Sequence, residues 1–429
     1  MIYMKINDKL KEDVYIKDSS NQTFVFFKDD NHNLIFNKIN TDDNFTIIDK
    51  RVLDFSATID ENNRLHLLYL HEQGELIYCI YSNNNWQKNL IGKLDTKSNI
   101  YKYLTLFIQK NTINIFYASA NLINLNSWTI EHITKNKDNL KKHIVTNIFS
   151  EKIINPFYMD CDKFGNIYLV YSGKEYNYYS IYYLFFNTFT RIWATTPTKI
   201  SSSSTNNIFP YIFVDSQNNV HILWYSLNNG DYLLNYKRFS PVGNNKFQWE
   251  KINLPKISGY DYPAIMVEKN NCLNIICVSD KEILNLTSQD YGNTWNLENK
   301  NIIEHHPIHL IKYYDLSVNK THYKINHNYG NIHNNTVSFY FESYKEDPKN
   351  TSNNPIDDNL NNENDSNPIE EESNSLENIL IKEIENLKST IIEMQNQIES
   401  IKNDIKSIKN NLQEIEKKSN NKKGFFNIW

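Results

Sequence analysis

Short runs of apolar residues alternate with polar, Asn-rich stretches over the first 344 residues of the chain. Four segments place an acidic residue before a polar turn and then a strand-like run: DENNRLHLLYL (60–70), DKFGNIYLVYS (162–172), DSQNNVHILWYS (215–226) and EKNNCLNIICVS (268–279). Weaker copies are DSSNQTFVFF (18–27) and KNTINIFYAS (110–119). Such runs, bounded by Asn, Asp and Gly, predict β-strands joined by tight turns. The first 344 residues are therefore predicted to be all-β.

The pattern recurs at a regular interval along the chain. The central strand position of each copy is, in order, Phe24, His66, Asn114, Tyr168, His221, Asn274 and a less regular seventh near His322. These positions lie 42 to 54 residues apart. A period of this length, with several short strands in each unit, is typical of β-propeller blades. We therefore predict a seven-bladed β-propeller over residues 1–344. Six blades is the alternative, in which the last and least repeat-like region is an appendage.

A second set of equivalent positions, one in each of the first six units and here called the aromatic column, supports the repeat. An aromatic residue is predicted to start the last strand of each of the first six units: Phe45, Trp86, Trp128, Trp193, Trp249 and Trp295. Large rings bury much apolar area when they pack between layers. These six rings are predicted to wedge between neighbouring blades, which is a structural role.

The sixth unit contains the turn SQDYGNTW (288–295), which matches the pattern S-x-D-x-G-x-T-W. The chain therefore resembles the Asp-box (BNR, sialidase-type) β-propeller repeat proteins. Degenerate turns, SNNNW and TDDNF, precede the same column in two other units. The resemblance implies that the box lies on the blade periphery, between the third and fourth strands, and carries no catalysis. Its residues are predicted to close a hairpin by bonding backbone N–H groups: Ser288, Asp290, Gly292, Thr294 and Trp295.

The same resemblance raises the question of sialidase activity. That chemistry needs three arginines on the substrate carboxylate, a Tyr activated by a Glu, and an acidic Asp. The chain has four Arg, namely Arg51, Arg64, Arg191 and Arg238, and no Phe-Arg-Ile-Pro segment. We assign no catalytic residue, and a glycoside hydrolase of sialidase-like fold is kept as a lesser alternative.

Histidines recur at the central position of several units, as His66, His221 and His322. Their recurrence admits a metal site, but they would lie on the second strand of each blade, outside the strand that lines the channel. Pairing of each buried His with the Asp of its own blade is the favoured interpretation. We predict no metal site and no cofactor.

Composition narrows the possible partners and compartments. The net charge is −5, but residues 345–372 alone contain nine acidic residues and two Lys. The rest of the chain is close to neutral, so no basic field predicts nucleic-acid binding. The four cysteines (Cys79, Cys161, Cys272 and Cys277) lack metal-ligand spacing and are predicted to be small buried thiols. Neither a signal peptide nor a transmembrane run is visible in the sequence.

The last predicted unit lacks a fourth strand. A spare strand-like run, YMKI (3–6), precedes the first unit. We predict that residues 3–6 complete the last blade and remove its exposed edge.

The pattern changes after residue 344. Residues 345–374 are acidic and Asn-rich and predict a disordered linker. Residues 375–419 carry an unbroken heptad seam with ten apolar core positions: Ile384, Leu387, Ile391, Met394, Ile398, Ile401, Ile405, Ile408, Leu412 and Ile415. Ile at both core positions favours three or four strands. We predict an α-helical coiled coil that forms a parallel homotrimer, with a tetramer as the near alternative.

The final ten residues (420–429) are basic and then aromatic, ending KKGFFNIW. The apolar tail residues Phe425, Phe426, Ile428 and Trp429 are predicted to dock on a membrane surface or a protein shell. The alternative is that the tail caps the coil or frays.

These elements favour a non-enzymatic, multivalent binding protein. Its propeller head would recognise a glycan or protein ligand, and the coil would multiply weak sites through effective concentration. We expect cytoplasmic synthesis, with attachment to a membrane, a spore layer or another surface as an open possibility. An intracellular protein-interaction scaffold is the alternative function.

Overall fold

The computed structural model describes residues 13–341, except 40–44, 83, 110–111, 137–138, 152–153, 203, 229, 243–245, 304–307, 318–322 and 334–335. The predictions for residues 3–6, for His322, and for the linker, coiled coil and tail lie outside the described residues. The described part of the chain contains no helix that is long and apolar enough to cross a membrane.

The described residues form six β-sheets, numbered here by their first strand. Sheet 1 begins with β1 (Val14–Lys17), β2 (Thr23–Lys28), β3 (Leu34–Ile39) and β4 (Thr46–Asp49). Sheet 2 contains β5 (Val52–Ile59), β6 (Leu65–His71), β7 (Glu75–Ser82) and β8 (Asn85–Lys93). Sheet 3 contains β9 (Asn99–Gln109), β10 (Thr112–Asn121), β11 (Ser127–Asn136) and β12 (Asn139–Phe149).

Sheets 4 to 6 follow the same order along the chain. Sheet 4 contains β13 (Tyr158–Cys161), β14 (Ile167–Glu175), β15 (Tyr178–Asn187), β16 (Ile192–Trp193) and β17 (Thr198–Lys199). Sheet 5 contains β18 (Asn206–Val214), β19 (Val220–Asn228), β20 (Asp231–Val242) and β21 (Lys246–Lys251). Sheet 6 contains β22 (Ile265–Lys269), β23 (Cys272–Val278), β24 (Glu282–Ser288) and β25 (Asn296–Ile302). The chain then forms β26 (His309–Asp315), β27 (Tyr323–Lys324), β28 (His327–His333) and β29 (Thr336–Phe339).

The last four strands return to earlier sheets. Strand β26 pairs in parallel with β1, from Val14 opposite Lys312 to Lys17 opposite Asp315. Strands β28 and β29 follow β26 antiparallel, so sheet 1 has the order β29–β28–β26–β1–β2–β3–β4. Strand β27 pairs with the first strand of sheet 6. The described end of the chain is thus joined to its start.

The hydrophobic core lies between successive sheets. Separate clusters of buried side chains join sheets 1 and 2, sheets 2 and 3, sheets 3 and 4, and sheets 4 and 5. A fifth cluster joins sheets 5 and 6 to the β1–β26 side of sheet 1. Antiparallel sheets that follow one another around a ring, each packed on the next, form a β-propeller.

The repeat positions predicted from the sequence occupy equivalent places. Phe24, His66, Asn114, Tyr168, His221 and Asn274 all lie on the second strand of their sheets. The preceding Asp residues organise the turns, since Asp18, Asp60, Asp162 and Asp215 each accept backbone N–H groups two and four residues later. The residue three after each Asp has a positive φ, and it is Asn or Gly. Asn and Gly tolerate this left-handed backbone best.

The predicted aromatic column holds only in part. The ring centroids of four tryptophans lie within about 6 Å of rings on the preceding sheet, which is a wedge between sheets: Trp86, Trp193, Trp249 and Trp295. Phe45 is 47% exposed and contacts Phe27 of its own sheet. The wedge prediction is therefore wrong for Phe45.

The prediction for Trp128 is also wrong. Trp128 lies at the start of β11, the third strand of sheet 3. Only 14 residues separate it from Asn114, against 20 between His66 and Trp86. Fourteen residues are enough for the rest of β10, a turn and the start of β11. Trp128 is nevertheless fully buried, and its indole N–H donates to Leu125 O at 2.8 Å.

The cysteines also differ from the prediction. All four are free thiols. Cys79 and Cys277 are buried, as predicted, whereas Cys161 and Cys272 are only partly buried. Cys161 belongs to the wall of the central cavity.

Candidate functional site

A cavity of about 840 Å³ lies at the centre of the ring. Its walls come from the first strands of sheets 2, 3 and 4, from β26, and from the segment 323–327. Cavities of this size are typical of small-molecule sites. The cavity exists because the first strands of the sheets surround one axis, so their side chains converge from distant parts of the sequence.

Tyrosine rings dominate the partly exposed wall. Tyr103, Tyr158, Tyr314 and Tyr323 all line the cavity and are partly buried. Tyr103 has a φ of +59° and lies at an irregularity in β9, where the β9–β10 register shifts. A bulge of this kind re-aims the side chains next to it. Phe209 takes a similar φ at the corresponding shift in β18, so the same irregularity occurs in the first strands of sheets 3 and 5.

Two carboxylates in the wall tie neighbouring first strands together. Asp54 accepts the N–H of Phe55 at 2.7 Å and that of Leu104, on the next sheet, at 2.8 Å. Asp160 does the same with Cys161 at 2.8 Å and with Val214, on the next sheet, at 2.7 Å. Both carboxylates are therefore engaged by backbone donors, which fix their position.

Lys324, on β27, forms an ion pair with one of these carboxylates, Asp160. Lys324 Nζ lies 3.0 and 2.8 Å from the two oxygens of Asp160, and it donates to Val214 O at 2.6 Å. It also lies 5.0 Å from the centre of the Phe213 ring. Burial alone would lower the pKa of Lys324, but the Asp160 carboxylate outweighs it and raises that pKa. The side chain of Lys324 therefore joins β27 to β13 of sheet 4.

The histidine in the wall is neutral at physiological pH. Burial lowers the pKa of His327 to about 3, and the nearby charge of Lys312 acts in the same direction. His327 Nδ1 lies 3.3 Å from Tyr211 Oη. An imidazole with this pKa is a poor proton acceptor near pH 7, where effective general bases titrate.

Two other titratable groups of the wall are held in their uncharged forms. Burial raises the pKa of the Cys161 thiol to about 11, with Asp160 adding to the shift. Burial likewise raises the pKa of Tyr314 to about 12. Reactive thiols have lowered pKa values. The wall therefore offers stacking surfaces and hydrogen-bonding groups, and no activated nucleophile among its described residues.

The sequence-predicted Asp-box residues lie in the turn between β24 and β25, the third and fourth strands of sheet 6. Asp290 accepts the N–H and the hydroxyl of Thr294 at 2.8 and 2.7 Å, and the hydroxyl of Ser288 at 2.8 Å. Gly292 donates its N–H to Ser288 Oγ at 2.8 Å and has a φ of +86°. Burial would raise the pKa of Asp290, but the bonds from Thr294 and Ser288 outweigh it and hold that pKa low. None of these residues lines the central cavity.

A side chain of sheet 5 binds the same turn. Arg238 donates to Tyr291 O at 3.0 Å and to Asn293 Oδ1 at 2.6 Å, and it forms an ion pair with Glu250 at 2.7 Å. An added Cβ at Gly292 would clash with Tyr236 Oη. The turn is thus part of the contact between sheets 5 and 6.

His66 and His221 pair as predicted, each with the Asp of its own sheet. His221 Nε2 donates to Asp215 Oδ2 at 3.0 Å, and its Nδ1 lies 2.7 Å from Tyr236 Oη. His66 Nε2 lies 3.1 Å from Asp60 Oδ2. In sheet 4, Tyr168 takes the place of the histidine and donates to Asp162 at 2.8 Å.

Sequence reasoning missed the cavity residues. The signal that could have found part of the wall is an Asp on a first strand, in LDF around Asp54 and MDC around Asp160. Lys324 carries no such signal, because its partner lies 164 residues earlier in the chain. The ten predicted coiled-coil positions and the four tail residues lie outside the described residues.

Comparison with known proteins adds limited information. No protein-family model matches the chain, and no curated protein matches it. The structure is similar to the BP39L lectin from Burkholderia pseudomallei, at 11% identity and a TM-score of 0.49, over 71% of this chain and 88% of that one.

Two further structures are similar at a lower TM-score. The six-bladed lectin of Aleuria aurantia shares 11% identity at a TM-score of 0.39, over 68% of this chain and 95% of that one. The α-L-arabinanase of Penicillium chrysogenum, complexed with arabinobiose, shares 11% identity at a TM-score of 0.38, over 58% and 80%. Likenesses this distant do not transfer a function, since one fold hosts many.

Proposed function

We propose that this protein is a glycan-binding protein whose propeller takes a saccharide into the central cavity. The observation that carries the proposal is a cavity of about 840 Å³ whose partly exposed wall includes four tyrosines. The apolar face of a sugar ring packs on aromatic rings, and its hydroxyls pair with a few fixed polar groups. Asn326 and Thr105 offer such groups in the same wall.

Binding without hydrolysis fits the chemistry of the wall better than turnover does. Glycoside hydrolysis needs two carboxyl groups, one to protonate the leaving group and the other to act as base or nucleophile. Asp54 and Asp160 each hold two backbone N–H groups, and Asp160 also holds Lys324. A carboxylate held in this way is poorly suited to exchange protons with a substrate.

The rest of the proposal concerns the architecture of the chain. We propose seven blades, with β26, β28 and β29 as the seventh and residues 3–6 completing it. The seventh repeat interval and the parallel pairing of β26 with β1 support that count. The turn at residues 288–295 is proposed to be an Asp box, supported by the hydrogen bonds of Asp290 and the positive φ of Gly292.

We also propose that the chain is multivalent. The heptad seam of residues 375–419 would make a parallel homotrimer, with a tetramer as the near alternative, and the linker would let several heads reach one surface. Phe425, Phe426, Ile428 and Trp429 would attach the assembly to a membrane or a shell. The alternative is an intracellular scaffold whose head binds a protein.

A binding screen followed by product analysis separates these functions. The full chain is applied to a printed glycan array, and each glycan that binds is then incubated with the protein and analysed by mass spectrometry. The proposal predicts binding to one or more glycans and recovery of each glycan intact. Shortened products would favour the glycoside hydrolase. Absence of binding to any glycan, together with capture of a protein partner, would favour the scaffold.

A further inference from the structure

Two turns at one end of sheet 4 carry exposed aromatic rings. The β13–β14 turn contains Lys163 and Phe164, and the β15–β16 turn contains Phe189 and Arg191. The turns contact each other, because Thr188 N–H donates to Asn166 Oδ1 at 3.2 Å and Thr188 Oγ1 donates to Gly165 O. We call Lys163, Phe164, Phe189, Arg191 and Ile192 the sheet 4 tip.

The apolar side chains of the sheet 4 tip are largely in water. Phe189 is 95% exposed, Phe164 is 65% exposed and Ile192 is 62% exposed. Isolated exposed apolar residues are ordinary, but several together on touching turns mark an interaction surface. Neither phenylalanine contributes to a hydrophobic cluster of the described core.

The charged side chains of the sheet 4 tip are both positive. Lys163 Nζ lies 5.4 Å from the centre of the Phe164 ring, and Arg191 lies two residues beyond Phe189. The two turns contain one acidic residue, Asp162, which is buried and whose oxygens accept the N–H groups of Phe164 and Asn166. The exposed part of the tip is therefore cationic and apolar.

Sheet 3, the neighbour of sheet 4, adds further exposed apolar and cationic side chains. The start of β12 lies beside the end of β15, since the His143 and Phe186 ring centroids are 6.0 Å apart. Leu140 and Lys141, at the start of β12, are exposed. Lys142 there pairs with Glu131. The edge of sheet 3 thus adds a further apolar side chain and a further cation next to the sheet 4 tip.

We propose that the sheet 4 tip docks on the surface of a bilayer that contains anionic lipids. Phe164 and Phe189 would enter the boundary between headgroups and acyl chains, where aromatic rings are favourable. Lys163 and Arg191 would meet the lipid phosphates, and each cation near an anionic surface adds to the affinity. Projecting rings flanked by cations match a deformable anionic interface. This inference is independent of the glycan site.

Vesicle binding by the full chain tests the proposal. The probes are vesicles of phosphatidylcholine alone and of phosphatidylcholine mixed with phosphatidylglycerol, and binding is measured by co-sedimentation. The protein is expected to prefer the anionic vesicles and to lose that preference in high salt. The double variant Phe164→Ser/Phe189→Ser is expected to bind them roughly tenfold more weakly or worse. Lys163→Gln/Arg191→Gln is expected to lose about tenfold on anionic vesicles alone.

Matched variants keep the result specific. Ile123→Ser removes a side chain that is 96% exposed, in the β10–β11 turn at the other end of the strands. Lys93→Gln/Lys97→Gln removes two exposed cations elsewhere. Both should bind like the parent chain, and unchanged thermal unfolding of every variant shows that folding is intact.

Three results would overturn the proposal. The first is that Phe164→Ser/Phe189→Ser binds the vesicles as well as the parent chain does, whereas a chain ending at Lys423 does not bind them. That result would assign docking to the tail. The second is no binding to either vesicle. The third is capture of a phosphopeptide or another protein through the same residues, without vesicle binding.

Discussion

At the scale of single residues, buried histidines show how tertiary contacts decide chemistry. His132 is fully buried, and its Nδ1 accepts the indole N–H of Trp193 at 3.2 Å. Its Nε2–H therefore donates to Asn114 Oδ1, at 3.1 Å. Burial lowers the pKa of His132 to about 3, and the nearby His143 acts in the same direction. A proton added at Nδ1 would point toward the indole N–H of Trp193, which is itself a hydrogen-bond donor.

This arrangement predicts acid sensitivity. The folded-state pKa values of His132 and His327 lie far below the value of about 6.5 expected in the unfolded chain, so the unfolded chain binds more protons between those limits. The free energy of unfolding should therefore fall as the pH is lowered from about 6.5 toward about 3. Each histidine should contribute a slope of up to about 1.4 kcal/mol per pH unit.

Urea unfolding followed by tryptophan fluorescence, from about pH 7.5 to about pH 4.5, measures that slope. Stability that stays constant across this window would contradict the burial of both histidines.

Residue-scale prediction from sequence succeeded where partners are close in the chain. Asp60 and His66, or Asp215 and His221, are six residues apart, so the turn that joins them fixes their meeting. His132 and Trp193 are 61 residues apart and meet only because sheets 3 and 4 pack together. No local pattern contains that information.

At the scale of elements, the turn between β24 and β25 holds a hairpin closed with side chains. Asp290 accepts two hydrogen bonds from Thr294, and Arg238 of the preceding sheet binds Tyr291 O and the side chain of Asn293 in the same turn. We predict that Asp290→Ala lowers the free energy of unfolding by about 1–2 kcal/mol.

The control is Asp30→Ala, which removes an exposed aspartate from a turn of sheet 1 and should leave stability unchanged. Chemical denaturation of both variants gives the comparison. Equal stability of Asp290→Ala and the parent chain would mean that strand pairing alone closes this hairpin.

Strand assignment shows the same division between local and distant information. The turn residues Asn63, Gly165 and Asn218 marked the start of second strands, because positive φ selects Asn and Gly. Trp128 was assigned to the wrong strand because a tryptophan packs equally well on the third or the fourth strand. The spacing after the central position, rather than the ring itself, separates the two.

At the scale of the whole molecule, the repeat predicted the ring but not the cavity. Sheet-to-sheet packing repeats, so it leaves a periodic trace in the sequence. The cavity wall is built from single residues on first strands and from the segment 323–327, each present once. Lys324 binds Asp160 from 164 residues away in the chain, and this contact does not recur at the described repeat positions of the other sheets.

Oligomeric state is the prediction that belongs to this scale. The full chain should sediment at three times the 50.9 kDa of one chain, because Ile at both core positions of the heptad crowds a dimer. Ile398→Lys/Ile405→Lys should shift the mass to one chain, since buried lysines in a coil seam are unfavourable. Ser389→Lys, outside the seam, is the control.

Analytical ultracentrifugation measures the mass directly. A parent chain that already sediments as a monomer would remove the multivalent part of the proposed function. It would leave the glycan site untouched.

The central claim is that the cavity of the propeller binds a glycan. Isothermal titration of the best array glycan into the full chain, into Tyr314→Leu and into Tyr176→Ser tests it most directly. Tyr314 lines the cavity, whereas Tyr176 is 91% exposed and lies outside that wall. Loss of the stacking ring should weaken binding by Tyr314→Leu roughly tenfold, while Tyr176→Ser should match the parent chain. Unchanged affinity in a folded Tyr314→Leu variant would place the glycan elsewhere and contradict the account.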